Sequence, residues 1–195
     1  MCSLFRFIRP GSVRNSRSDF MIRSFNGKSP RIADSAFVSE AAYIIGDVEI
    51  GENSGVMPSA VIRADMGKIT IGSSVFVEDN CVIHSGSSLG PNGDVVIGDR
   101  VLIGHGAVLN CRSIGSHVLV GMNATLLHNA DIGNYCIIAA CAMVTQGMKV
   151  PDRSFVVGVP GKIAGPPTED QLWWVKDGIT QYAQLLELYK KEKFW

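Results

Sequence analysis

Aliphatic residues recur along this chain every six positions. From Ile32 the series runs through Val38, Ile44, Ile50, Val56 and Ile62, and it resumes at Ile71, Val77 and Ile83 and again at Ile97, Ile103 and Leu109. It then continues from Ile114 through Val120, Leu126, Ile132, Ile138, Val144 and Val150 to Val156. Three breaks interrupt the phase, after Ile62, Ile83 and Leu109. Four residues beyond these positions the side chain is mostly small, as at Ala42, Ser54, Ala60, Cys81, Ala107, Ala124, Ala130, Cys136 and Ala142. A period of six is a multiple of the two-residue repeat of a strand and does not fit a helix of 3.6 residues per turn. If three short strands make one triangular coil, each aliphatic residue points to the axis and each small residue lets the chain bend at a corner. The pattern predicts an all-β solenoid, a parallel β-helix in which every coil buries its neighbour. An α/β fold with alternating helices is excluded, because Ile32 to Val156 holds no segment of helical period.

The period changes after Pro166-Pro167. Thr168 and Gln171 have the spacing of a capping box, and Leu172, Val175, Ile179, Tyr182, Leu186 and Tyr189 then alternate at three and four. One amphipathic α-helix is expected over 167–195, lying along a β-helix that spans 21–166. Residues 1–20 carry Arg6, Arg9, Arg14 and Arg17 against one acid, Asp19, with several serines. That is the composition of an organellar transit peptide, but a disordered tail or an upstream-extended start fits equally well, and 1–20 are set aside from the functional reading.

Composition narrows the partners. Lys+Arg 18 against Asp+Glu 18 gives no net charge, so no general attraction for nucleic acid or acidic lipid is expected. The longest apolar stretch, Cys136 to Val144, is about half of the roughly 20 residues a bilayer requires, which argues against a membrane span. The five cysteines form no CxxC pair and sit mostly inside apolar patterns, as expected of buried thiols in a reducing, cytoplasmic setting.

Chemistry gathers around the histidines. His84 follows the inward Ile83 and His105 lies two after the inward Ile103, so both point out of a coil wall; neutral imidazoles are common zinc ligands, and a catalytic zinc needs three protein ligands with one open position. Four further stretches stand out: Val61-Ile-Arg-Ala-Asp65, Val77-Glu-Asp-Asn-Cys-Val-Ile-His84, Ile103-Gly-His-Gly-Ala-Val-Leu-Asn-Cys111 and Val120-Gly-Met-Asn-Ala124. With the six-residue repeat they make the chain resemble the hexapeptide-repeat superfamily of left-handed parallel β-helices, and in particular its γ-class carbonic anhydrase branch.

The resemblance implies a homotrimer with zinc, or another divalent metal, held between subunits and hydrating the small molecule carbon dioxide. It carries over His84 and His105 as metal ligands. The third ligand position, ordinarily histidine, is Asn110, and His128 is the alternative donor considered for it. Arg63 and Asp65 match a pair that bridges subunits beside the metal, Asp79 matches a residue that orients a ligand, and Glu78 stands where glutamine is usual. Tyr182 matches a tyrosine near the site. An amide is a weak ligand, and between Ser85 and Val96 Asp94 is the only acid, so metal binding and turnover are expected to be weak or lost. Two other functions fit the repeat: a hexapeptide acyltransferase using acyl-coenzyme A with an outward histidine as general base, and a non-catalytic trimeric scaffold.

Overall fold

The aliphatic positions of the six-residue step fall into three columns. Ile32, Ile50, Ile71, Ile97, Ile114, Ile132 and Val150 pair in parallel register up the first wall. Val38, Val56, Val77, Ile103, Val120, Ile138 and Val156 make the second wall. Ile44, Ile62, Ile83, Leu109, Leu126 and Val144 make the third. This computed structural model, which describes residues 5–6, 21–86 and 93–192, is a left-handed β-helix of about seven turns with a single C-terminal helix. All columns are buried except Ile32 and Val38 in the first coil, which are half-buried. Of the segment 1–20 only Phe5–Arg6 is described, pairing antiparallel with Arg31–Ala33; the other residues of that segment lie outside the described ones.

Corners repeat one device. The residue ahead of the buried small side chain takes a left-handed φ, as at Asn53 (55°), Asn80 (60°), Asn123 (56°) and Asn129 (59°), a conformation asparagine tolerates better than most. On the corner between the first and second walls the same conformation falls to Arg100, His117, Tyr135 and Arg153. There His117 stacks on Tyr135 with ring centroids 4.6 Å apart, and the Arg153 guanidinium lies 5.2 Å from the Tyr135 ring centre.

The outward faces of the walls differ. The first is polar, with Arg31 and Lys68 on Glu49 and with Arg112 and Lys149 on Asp131. The second presents Phe37, Phe76, Leu102 and Ile137, and the C-terminal helix covers them with Leu172, Val175, Ile179 and Leu186. The helix comprises Glu169–Trp173, a π-helical turn Trp174–Gly178 and Ile179–Glu192, and it starts at the expected capping box. The stripe foreseen from spacing is the face that docks. The third wall presents Tyr43, Val61, Val82, Val108, Thr125 and Met143, of which Val108 is exposed and the others are half-buried.

Candidate functional site

The three breaks in the hexad share one corner, between the third wall and the first. After Ile62 the chain runs on in one strand, Val61–Ile71, whose register against the neighbouring strand shifts between Gly46 and Val48, so that residues 65–68 bulge out. After Ile83 the next inward residue, Ile97, comes fourteen positions on, and after Leu109 the corner is one residue short. The residues at these irregularities are Arg63 and Asp65, then His84, then Asn110. Interruption of an otherwise regular repeat at a single place is a mark of a functional constraint.

A chain of hydrogen bonds joins these four. Arg63 Nη1 donates to Asp65 Oδ2. Asp65 Oδ1 lies 3.0 Å from His84 Nε2, and because an ionised carboxylate only accepts, that nitrogen carries the hydrogen. His84 Nδ1 is then the acceptor for Asn110 Nδ2 at 3.3 Å, and the same amide nitrogen donates to the His84 carbonyl oxygen at 3.1 Å. Burial would raise the Asp65 pKa, but the hydrogen bonds from Arg63 and His84 outweigh it and hold the carboxyl below its ordinary range.

The second group sits at the end of the second wall. Val77 pairs with Ile103, so one coil on Gly104 stands over Glu78 and His105 over Asp79. His105 Nδ1 donates to Asp79 Oδ2 at 2.8 Å and lies 3.8 Å from Glu78 Oε2. Glu78 is buried, which raises its pKa, and Tyr182 from the helix packs on Phe76 with centroids 5.1 Å apart. Burial and the charge of Glu78 both push the Tyr182 hydroxyl up.

Within one chain, then, the structure brings together Arg63, Asp65, His84 and Asn110, and separately Glu78, Asp79, His105 and Tyr182. Among the described residues the three potential metal-ligating groups within 4.8 Å of one another are Glu78, Asp79 and His105, a set that leaves His84 out. His128 joins neither group: the third-wall register carries Leu127 to the position over Asn110, and His128 follows at the corner, where its carbonyl accepts from Gly147. Two partnerships were not read from sequence, Asp65 with His84 and Asn110 with His84. They join residues 19 and 26 apart across coils of unequal length.

The family model described as Bacterial transferase hexapeptide (six repeats) matches residues 113–146. The protein named "Probable carbonic anhydrase" from Methanocaldococcus jannaschii is 42% identical over 162 residues, covering 83% of this chain and 99% of its own. Gamma carbonic anhydrase 1, mitochondrial, from Arabidopsis thaliana is 31% identical over 85% of this chain, which spans 61% of that relative's length. Among solved structures, a candidate acetyltransferase of Bacillus cereus superposes with TM-score 0.81 at 34% identity, over 88% of this chain and 97% of the other. A hexapeptide transferase family protein from Anaplasma phagocytophilum gives 0.79 at 31%, over 87% and 98%. The chain belongs to the hexapeptide-repeat superfamily of left-handed β-helices. Within it, the full-length match at 42% identity and the motifs at Arg63, Asp65, His84 and His105 put it on the γ-carbonic anhydrase-like branch.

Proposed function

We propose that the protein is a γ-carbonic anhydrase-like metalloprotein, a homotrimer whose metal lies between His84 with Asn110 on one protomer and His105 on a neighbour, with little or no hydration of carbon dioxide. The observation that carries the reading is the shared corner of Arg63, Asp65, His84 and Asn110, where the hexad fails three times. The apolar outward residues of the third wall, with Val108 exposed beside half-buried Val61 and Val82, support packing against another copy.

The donor chemistry suits a divalent ion, though weakly. His105 gives its Nδ1 hydrogen to Asp79 and keeps the Nε2 lone pair, the arrangement of a metal-ligating imidazole with a carboxylate behind it. Asn110 makes its hydrogen bonds through Nδ2, which leaves its carbonyl oxygen as a neutral donor. His84 engages both ring nitrogens and must give up one hydrogen bond to bind an ion. A bound zinc would supply Lewis acidity that makes water nucleophilic near neutral pH. In this chain Arg63 fixes Asp65, Asp65 and Asn110 set the His84 ring, and Asp79 sets the His105 ring. Glu78, its pKa raised by burial, retains a proton more readily than an exposed carboxyl. Asp94, the one acid between Ser85 and Val96, accepts the Lys68 backbone N–H at 2.8 Å.

Metal content per trimer on protein purified without chelator, followed by stopped-flow carbon dioxide hydration on zinc-, cobalt- and iron-loaded samples, tests the reading. Stoichiometric metal with slow turnover is expected; rapid hydration by the unmodified protein, abolished by His84→Ala, contradicts the weak-activity claim. A second reading, an acyltransferase, draws support from the Asp65–His84 pair, since a carboxylate-held imidazole is a competent general base, and from the names of the two superposed structures. Absence of metal together with saturable acetyl-coenzyme A binding would favour it.

A further inference from the structure

The corner between the first and second walls carries four side chains one coil apart: Arg100, His117, Tyr135 and Arg153. The strand register that sets Leu102 under Leu119, Ile137 and Phe155 stacks them in this column. Two contacts key the first half of the C-terminal helix to it. Arg100 Nη2 donates to the carbonyl of Lys176, inside the π-helical turn Trp174–Gly178, and Lys176 Nζ binds Glu169 Oε2 at 2.6 Å two turns back. His117 is the member of the column whose type changes charge near neutral pH. Its ring lies between Arg100 and Tyr135, stacked on Tyr135 at 4.6 Å, and among the described residues neither ring nitrogen bonds a carboxylate. The charged groups that face it are Arg100 and Asp99 from the coil below and Lys176 from the helix. On the other side is Tyr135, with the Arg153 guanidinium already 5.2 Å from its ring centre. Burial, Arg100 and Lys176 disfavour the imidazolium more than Asp99 favours it, so the His117 pKa lies below the ordinary histidine value.

We infer that His117 is a pH-sensitive latch on the C-terminal helix: neutral, it lets Arg100 hold the π-helical turn, and protonated, it sets a third cation against Arg100 and Lys176 and releases that turn from the corner. π-helical turns recur at functional positions of helices, and this one carries the carbonyl that Arg100 holds. A histidine that is harder to protonate docked than released leaves docking untouched above the released value of about 6.5. Below it the released helix takes up the proton first, and docking weakens as pH falls until the docked value is passed. The Glu169–Lys176 pair persists through this window, because the hydrogen bond and charge of Lys176 hold the Glu169 pKa below its ordinary value.

Hydrogen exchange of the full chain at about pH 7.5 and about pH 5, corrected for the intrinsic rate and read by mass spectrometry over residues 169–182, tests the latch. An NMR titration of the His117 ring accompanies it. The wild type is expected to lose protection in that segment several-fold at the lower pH while the coils keep theirs. His117→Phe leaves a ring on Tyr135 with no proton to gain, and it is expected to hold its protection at both pH values. An aromatic side chain fits there, since Tyr135 takes the same left-handed φ, 55° against 58°. If His117→Phe does not fold, His117→Asn takes its place, asparagine standing at that φ in Asn53 and Asn123. His84, His105 and His128 are common to wild type and variants, so their titration cancels in the comparison. Equal losses in wild type and variant overturn the inference, and so does a wild type that loses no protection. A His117 ring that titrates at or above the ordinary value of about 6.5 overturns it as well.

Discussion

His84 is the most tightly specified side chain of the site, held through both ring nitrogens and stacked over Arg63 and under Asn110. Asn110 is the residue at which the chain departs from a three-imidazole site. Replacing it with histidine adds a neutral nitrogen donor where the ring of His84 is already oriented, so Asn110→His is expected to tighten zinc binding by about tenfold or more in a chelator competition titration. Unchanged affinity would place Asn110 away from the metal. The buried thiols are a different case: burial pushes Cys81 to about 11 and Cys111 to about 12, so neither is a thiolate at neutral pH. Thiol-reactive reagents at pH 7 are expected to label the exposed Cys141 and to leave Cys81 and Cys111 untouched, as peptide mapping would show.

Each wall of the coil carries its own outward chemistry, and two substitutions separate their contributions. At Gly55, in the second wall, an added Cβ would stand 2.9 Å from Leu186 Cδ2, so the Leu186 side chain fills the space that a side chain there would need. Gly55→Val is expected to loosen the helix, raising its proteolytic cleavage and amide exchange while the β-sheet signal persists. On the first wall, Asp131 is flanked by Arg112, Lys149 and Ser113. Burial opposes ionisation there, but the hydrogen bonds from these three groups hold its pKa well below the ordinary carboxylate range. A depressed pKa stabilises the folded state above the unfolded carboxyl value and loses that effect as pH falls through the folded one. The melting temperature of Asp131→Asn should therefore lie below wild type at pH 7, with the gap closing below about pH 4. Equal gaps at both pH values would mean the ion pairs do not set it. The columns of these walls were legible in sequence because each break restores the same inward phase. The corner the breaks share was not, since it depends on how many residues each coil spends between walls, and His128 misses the stack by one residue for the same reason.

At the scale of the whole molecule, the coils alone would form a one-dimensional stack in which each layer touches only the next. Such stacks fray from their ends. The C-terminal helix alters this. Starting at the far end of the second wall, it runs back past Arg100, which donates to the Lys176 carbonyl, to Phe76 at Tyr182 and finally to the first coil. There Tyr189 stacks on Phe37 at 5.4 Å and Lys190 donates to the Ser35 carbonyl at 2.7 Å. Seven residues from Tyr182 to Tyr189 advance about 10 Å along a helix, close to two strand spacings of about 4.8 Å, so its turns keep step with the coils. The C-terminal helix is thereby bolted to the first coil. Unwinding from either end must first break a brace that spans the stack, so loss of one layer is coupled to loss of all. The protein should melt in a single all-or-none transition with equal calorimetric and van't Hoff enthalpies, whereas Leu186→Ala combined with Tyr189→Ala should melt in broader, layered steps.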